Sequence, residues 1–162
     1  ANEGLFSNGG TACTIFYGCL IAAISLTAFL KVPGIYLPPS KKHLPCNISV
    51  IFANADLLAR AQTYAFTVLG VSQLFHAIGM RDRDKSVLRM NHLDNPFMIL
   101  AFFLGLALQV MVTEVPYFVQ AFQTVQLSFG EWQWLLGISA IPLLMHEILL
   151  LPGLISGRRK RQ

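Results

Sequence analysis

Polar side chains on the apolar segment 61–80, AQTYAFTVLGVSQLFHAIGM, are the residues of this chain best suited to chemistry. At 100° per residue, Gln62, Gln73 and His76 fall on one side of a helix, with Ser72 at the edge of that side. Gln73 lies near the middle of the segment. With Thr67 or Ser72, its amide offers neutral oxygen ligands for a hard cation. Hydrogen bonding of Gln73 and His76 across a helix interface is the alternative interpretation, and these residues alone leave it open.

The opposite side of this segment is apolar. An amide without a partner in hydrocarbon is costly, so the side that bears Gln73 is predicted to face a helix bundle or a cavity. The apolar side is predicted to face lipid. It consists of Tyr64, Val68, Val71, Phe75 and Ile78.

The composition is that of a membrane protein. Of the 162 residues, 54% are hydrophobic and 12% are charged, against roughly 25% charged residues in soluble domains. The formal net charge of +4 does not indicate a nucleic-acid partner, because the basic residues are confined to the tail and to short segments between apolar runs. The three cysteines form no C-x-x-C pair, so neither a zinc ribbon nor a disulfide framework is predicted.

Four apolar runs predict an all-α membrane protein, a bundle of four transmembrane helices at about 11–31, 61–80, 96–113 and 131–151. Lysine and arginine are concentrated in the segment 81–95 and in the basic tail 152–162, so both termini are predicted to be cytoplasmic. The segments 32–60 and 114–130 are then extracytoplasmic loops, and the whole chain is a single subdomain. Pro142 predicts a kink in the fourth run.

Small residues are predicted to mark where these helices pack closely, and aromatic and charged residues to mark where they meet the membrane interface. Edges of small residues around Gly18 in the first run and Gly105 in the third favour close approach of neighbouring helices. Trp132 and Trp134 at the start of the fourth run, and Glu147 near its end, are predicted to be interfacial anchors. The spacing of a P-loop, a dinucleotide-binding loop, a zinc protease or a serine hydrolase does not occur. The segment is therefore predicted to catalyse no reaction and to hold no cofactor of its own.

Several short motifs follow one another along the chain, and their order is more specific than any one of them. They are AFTVLGVSQLFHA in the second run, the charged link at 81–89, Asn95-Pro96 before the third run, and His146-Glu147-Ile148-Leu149 in the fourth. This succession resembles the C-terminal membrane region of calcium-type P-type ATPases, especially bacterial ones. The resemblance covers nearly the whole chain.

The resemblance implies a role in a larger protein. The runs would be the last four of ten transmembrane helices, supporting the ion-carrying helices of a pump that binds ATP and Mg²⁺ and transports Ca²⁺. The implied partners are the lipid bilayer and the remaining helices and cytoplasmic domains of the same pump, with self-association of the isolated fragment also expected. The implied location is the plasma membrane of a bacterium.

One site residue is implied by the same resemblance. Gln73 matches the position in the eighth helix where two-calcium pumps carry glutamate and plasma-membrane-type pumps carry glutamine. It would be a peripheral cation ligand that contributes an oxygen without a charge. Two alternatives from other classes remain at this point: a self-contained oligomeric four-helix channel or secondary transporter, and a passive membrane assembly protein.

Overall fold

The computed structural model describes residues 10–36, 47–79 and 96–157, and every regular element in these ranges is a helix. In chain order the helices are α1 (Gly10–Tyr36), α2 (Asn47–Ala53), α3 (Ala55–Gly79), α4 (Pro96–Glu114), α5 (Pro116–Phe122), α6 (Phe129–Ser139) and α7 (Ile141–Gly157). The predicted cytoplasmic link at 81–95 lies outside the described residues, and so does the end of the basic tail.

Helix α3 begins six residues before the apolar run that predicts it, because a polar residue caps it. The side chain of Asn54 accepts hydrogen bonds from the backbone N–H groups of Asp56 at 3.0 Å and Leu57 at 3.4 Å. These N–H groups have no partner within the helix, and a capping side chain satisfies them. Both predicted extracytoplasmic loops contain helical residues. The segment 32–60 includes the end of α1, the short α2 and the first residues of α3, and the segment 114–130 includes α5.

The fourth apolar run is divided into two helices. At its start, the Ser128 side chain accepts from the Glu131 backbone N–H while the Glu131 side chain accepts from the Ser128 N–H, a capping box. Helix α6 ends at Ser139, and α7 begins after a single turn residue, Ala140. The break lies two residues before Pro142, whose ring and missing N–H interrupt the helical hydrogen bonds. The break therefore falls where the sequence predicts a kink.

Within the described residues, two stretches are long and apolar enough to cross a membrane, Thr11–Val32 and Pro96–Glu114. Helix α3 carries glutamines and a histidine in its apolar run, and the fourth run is broken into helices of 11 and 17 residues. The described residues are thus all-α, with two candidate spans among them. A four-span bundle, with the loops on the predicted sides, stays a prediction.

Helix α3 lies at the centre of the fold, where it packs against α1, α2, α4, α6 and α7. Tyr64, Val68 and Val71 are 0% exposed, and the core around them includes Ala28 of α1 and Leu135 of α6. The prediction that these three α3 residues face lipid is therefore wrong. The apolar side of α3 is the side that the rest of this chain covers, because burying it against other helices fills the core.

Candidate functional site

The exposed side of α3 is a continuous stripe of five residues. Gln62, Phe66, Leu69, Gln73 and Ala77 are all exposed, and their spacing of three or four residues places them along one side of the helix. We call this surface the α3 stripe. Gln73, the predicted cation ligand, lies in it on the side of α3 that no other described helix covers.

The structure separates Gln73 from the two residues predicted to share a cation with it. Thr67 and Ser72 are 0% exposed and turn toward the inside of the bundle. The Ser72 hydroxyl donates to the Leu69 carbonyl oxygen at 3.2 Å, which occupies it within its own helix. Neither hydroxyl shares the exposed side of α3 with Gln73, and a cation site formed by Gln73 with either residue stays a prediction.

His76 lies at the edge of the α3 stripe, where α3 meets α1. Its ring is half-buried and packs against the ring of Tyr17 in α1, with 4.4 Å between the ring centroids. Tyr17 itself is buried. The His76 side chain thus helps to join α3 to α1.

Helices α3 and α4 meet through side chains that fit against glycines. A Cβ built on Gly105 would lie 2.7 Å from Leu74 Cδ2, and one built on Gly70 would lie 2.7 Å from Gln109 Oε1. The two helices run antiparallel, so each supplies one glycine and one larger side chain to the pair of contacts. In the same interface, the buried Gln109 donates from Nε2 to Thr67 Oγ1 at 3.2 Å.

A carboxylate on α6 ties the opposite end of α3 to the loop before α6. Glu131 Oε1 accepts from Arg60 Nη1 at 2.7 Å and from the hydroxyl of Tyr64, and Oε2 accepts from the Ser128 backbone N–H at 2.6 Å. The side chain of Glu131 is 10% exposed and that of Arg60 is 27% exposed. A charged, largely buried acceptor with several donors holds these elements in one geometry.

A second carboxylate, that of Glu114 at the end of α4, holds the same loop. Its Oε1 accepts from Trp132 Nε1 at 2.8 Å and from the Leu127 backbone N–H at 3.3 Å. Thr63 of α3 accepts from the Val125 backbone N–H at 3.0 Å. The loop between α5 and α6 is thus fixed to both α3 and α4.

The two predicted tryptophan anchors take part in these contacts. Trp132 donates to Glu114, and the Trp134 ring centroid lies 6.0 Å from that of Tyr64. Whether the rings also reach a membrane interface stays a prediction. Glu147, the third predicted anchor, has its Oε1 3.8 Å from Nδ1 of the buried His146.

Of the predicted small-residue edges, one is used within the chain. Gly105 packs against Leu74, whereas Gly18 is exposed and a Cβ added there would meet no atom within 4 Å. The Gly18 edge of α1 therefore remains open to a neighbour outside the described residues.

Sequence reasoning missed the residues that organise the site. Glu131 and Glu114 lie at the ends of runs rather than inside them, and no motif marks Gln109 within the third run. The capping box at Ser128 was a signal available for Glu131, since it requires an acid or amide three residues after the cap. Among the described residues no group of three or more His, Cys, Asp or Glu side chains is placed to hold a metal ion.

Comparison with known proteins identifies the family of this chain. Residues 1–151 match the family described as the C-terminus of cation-transporting ATPases. The chain belongs to this family. Membership makes the all-α fold that of a membrane domain, in agreement with the resemblance noted from the sequence.

Individual relatives of this family member are calcium-transporting ATPases. The chain is 32% identical over 152 residues to calcium-transporting ATPase 1 of Bacillus cereus, covering 92% of the chain and 16% of the relative. It is 34% identical over 113 residues to the calcium-transporting ATPase of Bacillus subtilis, covering 70% of the chain and 12% of the relative. A third relative, the endoplasmic reticulum-type calcium-transporting ATPase 4 of Arabidopsis thaliana, is 30% identical over 94 residues, which are 58% of the chain and 9% of that protein. The chain thus spans a sixth or less of the length of these relatives.

Proposed function

We propose that this chain is the C-terminal membrane region of a larger ATP-driven calcium pump in a bacterial plasma membrane. The family match over residues 1–151 and the similarity to two Bacillus calcium-transporting ATPases support this assignment. The chain supplies supporting helices. ATP and Mg²⁺ bind to other parts of the pump, and this segment alone hydrolyses no ATP.

The proposed membrane arrangement has four spans, formed by α1, α3, α4 and the broken pair α6–α7. Helix α3 has 25 residues, which at about 1.5 Å per residue exceeds a hydrocarbon core of roughly 30 Å. Both termini are cytoplasmic in this arrangement, and the loop between α5 and α6 is extracytoplasmic.

The α3 stripe carries the functional part of the proposal. Five other helices pack against α3, yet this side with its two glutamines is exposed. Amides that face lipid are costly, so a protein neighbour is the favourable partner for this surface. We propose that the stripe packs against the remaining helices of the pump, with the Gln73 oxygen as a peripheral Ca²⁺ ligand. In the isolated fragment, the same stripe is the surface for pairing between copies.

The test is Gln73→Ala in the full-length pump. The Ca²⁺ concentration for half-maximal ATP hydrolysis is expected to rise about fivefold, the factor that corresponds to one hydrogen-bond-sized contact, while the maximal rate is retained. Gln73→Glu is expected to lower that concentration, because it adds a negative charge next to the cation. Gln133→Ala, the same substitution at an exposed position of α6, is the matched control. An unchanged Ca²⁺ dependence in both Gln73 variants refutes the role of this residue.

The sidedness of the proposal is tested separately by labelling. In a variant with Cys13, Cys19 and Cys46 replaced by alanine, a cysteine introduced at the exposed Gln123 is expected to react with a membrane-impermeant maleimide in intact cells. Reaction only after the cells are opened would place the loop between α5 and α6 in the cytoplasm and contradict the arrangement. ATP hydrolysis by the purified 162-residue chain would contradict the supporting role.

A further inference from the structure

A buried amide on α4 contacts α3 beside the α3 stripe. Gln109 is 7% exposed, and its Nε2 donates to Thr67 Oγ1 at 3.2 Å. Its Oε1 fills the space above Gly70, where an added Cβ would lie only 2.7 Å from that oxygen. The amide is therefore held by α3 on both sides, by a hydrogen bond on one and by steric fit on the other.

This contact fixes the direction in which Gln73 points. Gly70 lies three residues before Gln73, about 60° away around the helix. A rotation of α3 by one residue would turn Gln73 by about 100°. The neighbouring contact, Leu74 against Gly105, joins flexible methyl groups to backbone. A hydrogen bond is directional, whereas apolar packing is not, so within the α3–α4 interface the Thr67–Gln109 bond constrains rotation more than the Leu74–Gly105 contact does.

We propose that Gln109 is a positioning residue for cation binding. It holds α3 at the rotation at which Gln73 faces the remaining helices of the pump. The inference rests on the proposed function, since Gln109 acts on the cation only through Gln73.

Gln109→Leu and Thr67→Val remove the hydrogen bond from its two ends with little change in volume. Each is expected to raise the Ca²⁺ concentration for half-maximal ATP hydrolysis by the full-length pump about fivefold, up to the effect of Gln73→Ala itself. The maximal rate and the ATP dependence stay unchanged, which distinguishes a positioning role from general loss of structure. Thr67→Ser keeps the hydroxyl and is expected to behave as the unaltered pump. Gln133→Leu is the control for the substitution at an exposed site.

A second route leaves Gln109 intact. Gly70→Ala places a methyl group 2.7 Å from the Gln109 oxygen, so the amide must move, and its bond to Thr67 is expected to break. The same shift in Ca²⁺ dependence is expected. Gly105→Ala is the matched control in the same interface, because the three atoms nearest to its methyl group all belong to the flexible side chain of Leu74. These variants also decide the matter if Gln109→Leu is not recovered as folded protein.

The decisive comparison is the double variant with Gln73→Ala. In that background Gln109→Leu is expected to add no further shift, because the residue through which it acts is gone. A full additional shift there overturns the inference, and so does a normal Ca²⁺ dependence in Gln109→Leu, Thr67→Val and Gly70→Ala when Gln73→Ala itself is impaired. In both cases the proposed function stands. An unimpaired Gln73→Ala refutes the proposed role of Gln73 directly, and the inference falls with it.

Discussion

Replacing Glu131 by glutamine tests the contact that fixes the N-terminal end of α3. The carboxylate accepts from Arg60, Tyr64 and the Ser128 N–H through its two oxygens. Glutamine has the same shape but only one oxygen, so its NH₂ group must face at least one of these donors. Glu131→Gln therefore removes the charge that neutralises Arg60 and places a donor against a donor.

The size of the effect follows from the burial of the pair. Breaking a buried ion pair costs about 3–5 kcal/mol, but Arg60 is 27% exposed and water can replace part of the interaction. We expect a loss of about 2–3 kcal/mol in the free energy of unfolding. Tyr64→Phe removes one donor and leaves the carboxylate in place, so it should cost about 1 kcal/mol.

The assay is unfolding of the chain in mixed detergent micelles, followed by tryptophan fluorescence. The chain has two tryptophans, and both lie in α6 beside Glu131, so the signal reports this region. Gln133→Glu, which exchanges the same two residue types at an exposed position of α6, is the control. A Glu131→Gln chain as stable as this control would refute the ion-pair reasoning.

Three further substitutions probe the loop before α6, each by the same unfolding measurement. Ser128→Ala removes the cap of α6 and is expected to cost about 1 kcal/mol, whereas Ser128→Thr should retain most of the stability; equal losses would argue against the capping box. Trp132→Phe removes the bond to Glu114 while keeping an aromatic ring, with an expected loss of about 1–2 kcal/mol because the acceptor is charged. Thr63→Val deprives the Val125 N–H of its acceptor at nearly constant volume and is expected to cost about 1–3 kcal/mol; an unchanged midpoint would show that water replaces the hydroxyl.

Long apolar helices could be predicted from the sequence, and their ends only in part. Helix α4 begins at Pro96 as predicted and ends at Glu114, one residue beyond the predicted bound, because continuous apolar composition determines it. Helix α3 extends beyond its apolar run, since its first turn depends on the cap at Asn54 rather than on hydropathy. The break at Ala140 follows from Pro142, a local signal that needs no knowledge of neighbours.

The orientation of α3 could not be predicted, because periodicity shows that a helix has two faces but not what covers each. Tyr64 illustrates this: it appeared to be a lipid-facing residue, and it is fully buried with its hydroxyl on Glu131. Glu131 and Arg60 are 71 positions apart, so their pairing is a property of the fold and not of either run. Gln109 and Thr67 pair across 42 positions for the same reason. Gln73 as a cation ligand stays a prediction drawn from the resemblance.

The order of synthesis gives the Arg60–Glu131 ion pair a consequence for membrane insertion. The chain is made from its N-terminus, so Arg60 and Tyr64 leave the ribosome well before Glu131. Until α6 arrives, a cation and a phenol at the end of α3 lack this carboxylate. A polypeptide truncated anywhere between Thr67 and Gly130 contains Arg60 and Tyr64 but never acquires this carboxylate.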